Sequence, residues 1–105
     1  MPKIRHIVLL KARADLPAGE LDGVLAQLAA LKAVIPGMLD CHASTNVSPE
    51  GISRGFTHAF TMDFADAAAR DAYLPHPDHK AAGARLRAAA EGGRDGLLVI
   101  DIELG

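Results

Sequence analysis

At 105 residues the chain is the length of one domain, with room for one modest core. Half of its residues are apolar and 23% are charged, which excludes a disordered or fibrous chain. The net charge of −2 and the scatter of Lys and Arg exclude a basic footprint for nucleic acid; the densest basic run, KAAGARLR at 80–87, reads as a solvated helix face.

The start, MPKIRHIVLLKAR, sets basic residues ahead of apolar ones, as a signal peptide does. Its uninterrupted apolar run is only Ile7–Leu10, too short for a secretory segment or a membrane span. The lone cysteine, Cys41, has no internal disulfide partner, which fits a reducing cytoplasm. Within a strand-like run it reads as a small apolar residue rather than a nucleophile.

In chain order, KIRHIVLLKA (3–12) alternates as a first strand, with Ile4, His6, Val8 and Leu10 on one face. A helix is predicted over roughly 18–35, where Leu21, Val24, Leu28, Leu31 and Ile35 recur at helical spacing, and IPG at 35–37 ends it. MLDCHASTNV (38–47) forms a weaker second strand, and SPEGISRG (48–55) is a loop suited to joining antiparallel neighbours. FTHAFTMDF (56–64) alternates cleanly, placing Phe56, His58, Phe60, Met62 and Phe64 on one side. Asp66 can cap a short helix, AAARDAYL, which two prolines end. Pro77 then suits the first position of another helix running to about Glu91, and LLVIDIEL (97–104) is the last strand.

The order β-α-β-β-α-β is the split pattern of an α+β ferredoxin-like sandwich, in one domain covering 1–105 with no internal repeat. Both helices of such a fold lie on one face of the sheet. Yet Ile7 and Leu9 back the Ile4/Val8/Leu10 face, and the last strand carries Leu97 and Val99 against Leu98, Ile100, Ile102 and Leu104. Strands apolar on both sides need cover on both sides. A homodimer packed sheet on sheet is expected on this ground.

Two histidines, His6 and His58, interrupt the apolar pattern of the helix-facing side. Each alone reads as a core histidine bonded to backbone or water. The stretch YLPHPDHK (73–80) alters the weighing. Pro77 places His79 in the first turn of a helix, where unpaired N–H groups disfavour imidazolium and leave a neutral ring able to accept a proton. Ala82, Gly83, Leu86 and Ala90 follow on the same helix face. Three of these four are small, which either leaves room beneath the helix or allows it to pack closely on the sheet. Tyr73 either polarises a carbonyl beside His79 or is a boundary residue with a buried ring. The pair His76 and His79 lacks a carboxylate or thiol cluster, so no metal is expected.

Taken together, IRHIVLLK, IPGM, NVSPEG, RGFTHAF, AYLPHPDHK and LLVIDIE resemble the stress-responsive α/β-barrel (Dabb) family of the dimeric α+β barrel superfamily, over nearly the whole chain. The resemblance implies a ferredoxin-like protomer whose sheet pairs with a second copy to form a dimeric barrel. It also implies a pocket between sheet and helices, as in cofactor-free cyclases of the olivetolic acid cyclase type. In that branch the positions of His79 and Tyr73 act as general base and its assistant, and those of His6 and His58 line the pocket. Phe60, Gly83 and Leu86 complete the expected substrate-binding set. The chain departs from the cyclases in its few aromatic residues and alanine-rich final helix, which points to a smaller pocket and a small apolar carbonyl substrate.

Three functions remain open at this point. The first is a cofactor-independent cyclase, lyase or isomerase with His79 as base. The second is a non-catalytic, stress-protective or ligand-binding homodimer. The third is a cofactor-free monooxygenase.

Overall fold

The computed structural model describes residues 2–105. Its strands are β1 (Lys3–Leu10), β2 (Met38–Thr45), β3 (His58–Phe64) and β4 (Leu97–Leu104), and its helices are α1 (Glu20–Ala30), α2 (Ala67–Tyr73) and α3 (Pro77–Ala89). The strands form one antiparallel sheet in the order β2-β3-β1-β4. This is the ferredoxin-like α+β arrangement expected from the order of elements.

Alternation in β1 becomes layering. Ile4, His6, Val8 and Leu10 are all buried, while the residues between them are only partly so. In the paired strand Phe60, Met62 and Phe64 are buried in the same way. α1 closes this layer with Val24 and Leu28, and α3 adds Ala82, Leu86 and Ala89. Arg85 ties the two helices together, bonding Glu20 and Gln27 at 3.0 Å each.

Several details differ from expectation. The first helix is α-helical only to Ala30 and tightens into a 3₁₀ turn over Leu31–Ala33 before Pro36 ends it. Gly37 follows at φ +84°, and a Cβ there would lie 2.6 Å from the Ala69 Cβ, so glycine is required by both torsion and contact. β2 carries an irregularity between Met38 and Asp40, in keeping with a weak edge strand. β3 starts at His58 rather than Phe56, because the Phe56 N–H turns back to the Ser53 carbonyl in the loop (3.0 Å).

The face away from the helices keeps its apolar residues uncovered in the single chain. Ile7 sits opposite Ile100 and Leu9 opposite Leu98. Leu98, Ile100 and Ile102 are 44–50% exposed, so a continuous apolar strip runs across β1 and β4. No helix among the described residues is long and apolar enough to cross a membrane.

Candidate functional site

The corner between α2 and α3 is built by caps. The Asp66 carboxylate accepts the Ala69 N–H at 2.9 Å to start α2, whose last residue is Tyr73. Two residues past Leu74, His76 accepts the Asp78 N–H on its Nδ1 (3.1 Å) and caps α3, with Pro77 at the first helical position. His76 thus serves the helix start.

His79 lies in the first turn of α3, and its Nδ1 is 2.8 Å from the Leu74 carbonyl at the end of α2. A carbonyl only accepts, so Nδ1 carries the proton and Nε2 keeps its lone pair. The Tyr73 ring packs against the imidazole with centroids 4.2 Å apart, fixing its plane. Burial pushes the His79 pKa down from the usual histidine value, and the nearby His6, Arg87 and His76 add to this against the opposing bond to Leu74. Burial thus favours the neutral ring expected from the sequence.

His6, 6% exposed, stands 6.1 Å from Tyr73 between ring centroids. Its Nδ1 is bonded to Asp101 Oδ1 at 2.7 Å, across the β1–β4 register that pairs the two residues. The other Asp101 oxygen accepts from Arg70 Nη1 at 2.7 Å, and Arg70 also bonds Asp71. Burial alone would raise the Asp101 pKa, but the bonds from Arg70 and His6 hold its carboxyl below the ordinary range. An ionised carboxylate fixes His6 with Nδ1 protonated, leaving Nε2 as the nitrogen available to a ligand.

These side chains border one cavity of about 670 Å³ between sheet and helices. Among its lining residues are His6, Phe60, Tyr73, His79, Gly83 and Leu86, so six of the seven residues expected at the site meet there. The volume lies in the range of sites for drug-sized ligands. The small residues of α3 divide the two roles left open above. Ala82 is fully buried in the core, whereas Gly83 borders the cavity.

The seventh residue, His58, lies elsewhere. It is the first residue of β3, level with the buried Leu10, and its Nδ1 contacts Thr57 Oγ1 at 2.8 Å. It lines a separate, smaller hollow with Leu9, Phe56 and Ala59. Strand alternation assigns His58 to the face of Phe60, but a terminal position frees the ring to turn toward the loop.

Tyr73 is almost wholly buried, and burial raises its pKa, so it is a neutral phenol. Among the described residues no protein group hydrogen-bonds its hydroxyl. The Tyr73 side chain is among those that border the cavity. Cys41, half-buried near the same core, has its thiol pushed up to about 11 by burial and by Asp40, which removes the thiolate needed of a nucleophile.

Four further residues belong to this site or its supports. Asp101 was visible as the one acid breaking the LLVID run, but only strand register places it beside His6. Arg70 reaches it from α2. Arg87, read as part of a solvated helix face, and Arg94, given no role, line the cavity.

A model of the stress responsive A/B barrel domain matches residues 4–104, nearly the full length. The chain belongs to this family. A dimeric ferredoxin-like protein of unknown function from Jannaschia sp. CCS1 is 33% identical, with 97% of this chain and 99% of that one covered and a TM-score of 0.85. A Dabb family protein with a ferredoxin-like fold from Mesorhizobium loti is 29% identical over 100% of both chains, with a TM-score of 0.73. A hydroxynitrile lyase from Passiflora edulis shares the fold of this A/B barrel protein at 23% identity, covering 99% of this chain and 94% of its own, with a TM-score of 0.88. No protein of curated function matches the sequence significantly.

Proposed function

We propose that this A/B barrel protein is a cofactor-independent lyase, cyclase or isomerase that removes a proton next to a carbonyl. The observation carrying this reading is the state of His79. Its Nδ1 is held by the Leu74 carbonyl, its ring is fixed by Tyr73, and it borders a cavity large enough for a substrate. Nε2 would take the proton, and the Tyr73 hydroxyl would donate to the oxygen on which charge develops. His6, held by Asp101, would return a proton or orient the substrate. The Passiflora edulis hydroxynitrile lyase, which shares the fold, supports the lyase form of this reading. The functional unit is a homodimer joined through the apolar strip of β1 and β4, in keeping with the relatives described as dimeric.

The test is turnover of small β-keto acids and thioesters by the wild type and by His79→Ala. A positioned base contributes roughly 10²–10⁴-fold, so the variant should lose that much rate and keep its fold. The wild-type rate should rise with pH through a midpoint below the usual histidine value and then level off, because protonated His79 cannot accept. Unchanged turnover in His79→Ala overturns the assignment. Saturable binding without turnover would favour the ligand-binding homodimer instead.

A further inference from the structure

Resting on the reading of the cavity as a carbonyl site, we infer that its substrate is an anion: a small keto acid whose carboxylate is held by Arg87 and Arg94. Two guanidinium groups border the cavity, and among the described residues no Asp or Glu does. This is a local excess of positive charge on a chain whose net charge is −2.

The other arginines of the folded body are already neutralised. Arg5 is paired with Asp63, Arg13 with Asp15, Arg70 with Asp71 and Asp101, and Arg85 with Glu20, all at 2.7–3.0 Å. Arg54 sits in the exposed loop before β3. Arg87 and Arg94 have no carboxylate within ion-pair distance among the described residues, although both face the ligand space. A planar guanidinium fork without a partner at the edge of a cavity matches the two oxygens of a carboxylate.

Geometry links this charge to the proposed base. A Cβ placed on Gly83 would lie 3.4 Å from Arg87 Nη1 and 3.9 Å from His79 Nε2, so guanidinium and imidazole border the same small gap. A β-keto acid has a carboxylate, an acidic methylene and a ketone in sequence. With the carboxylate on Arg87, its methylene falls toward His79. The pairing also serves the chemistry. A bare carboxylate opposes a second negative charge two atoms away, and a guanidinium beside it removes much of that opposition. Arg94 borders the same cavity from the turn that precedes β4 and adds to the attraction. Both side chains are exposed, so the attraction weakens as salt rises.

The experiment is calorimetric titration with acetoacetate and with methyl acetoacetate, which keeps the ketone and loses the charge, followed by longer β-keto acids and their methyl esters. Wild type should bind at least one acid about tenfold more tightly than its ester. That preference should shrink with added salt, fall in Arg87→Gln and Arg94→Gln, vanish in the double variant and survive in His79→Ala. The inference is overturned if no acid binds better than its ester, or if the double variant keeps the preference. Tighter binding of inorganic phosphate than of acetate would likewise overturn the assignment to a carboxylate. Failure of this inference is separable from failure of the base assignment. Turnover of acids and esters alike, undiminished in the arginine variants, would leave His79 as base and remove the anion site. An acid preference without turnover would do the reverse.

Discussion

At position 83 a hydrogen stands where any other residue would place a carbon between Arg87 and His79. Glycine in a helix interior costs about 1 kcal/mol relative to alanine, so this position gives up stability. An added methyl would meet its neighbours at ordinary contact distance, 3.4 and 3.9 Å, and would occupy the gap in front of the base. Gly83→Ala should therefore raise the melting temperature by a few degrees and lower turnover or ligand affinity, measured by calorimetry and kinetics on one preparation. A rise in stability with unchanged activity would show that the gap is not used. His79 has its own stability signature. Its folded-state pKa is depressed, so the stability it contributes is present above the usual histidine value and is lost as pH falls through the folded one. Asp101, also depressed, acts with the same sign in the lower, carboxylate range.

Among the elements, the corner from α2 to α3 carries the most functional weight for its length. Tyr73, Leu74 and His79 are held in one geometry because α2 ends and α3 begins within a few residues, each helix with a side-chain cap at its start. Loss of an N-cap costs about 0.5–2 kcal/mol. His76→Ala should lower the melting temperature by several degrees, and His76→Asn, which restores an acceptor, should recover most of it. If the two variants unfold alike, the Nδ1 contact to Asp78 contributes no cap. β3 shows the opposite behaviour at an element boundary. Starting two residues later than its alternation implies, it leaves His58 at a strand end and outside the cavity.

For the whole molecule, the exposed strip of Leu98, Ile100 and Ile102 beside Ile7 and Leu9 makes a second copy the natural cover. Ile100, half-exposed and central in that strip, is the place to test it. Ile100→Lys should shift the sedimentation mass from dimer to monomer and reduce thermal stability, while a substitution at the exposed Ile52 in the loop should do neither. A dimer persisting in Ile100→Lys would move the interface away from this face.

The sequence by itself determined the order of elements, the two faces of the sheet, the apolar excess that calls for a partner, and the place of His79 beside Tyr73. Those features depend on period, caps and prolines, which act over a few residues. Only the tertiary structure decided the rest. Asp101 meets His6 across 95 positions of chain because strand register pairs them, and Arg70 reaches the same carboxylate from a helix. His58 turned away because a strand started late. Arg87 and Arg94 became part of a site only when α3 and the turn before β4 were folded around one cavity. Charge on a helix looks alike in sequence whether it faces water or a ligand, and long-range packing tells the two apart.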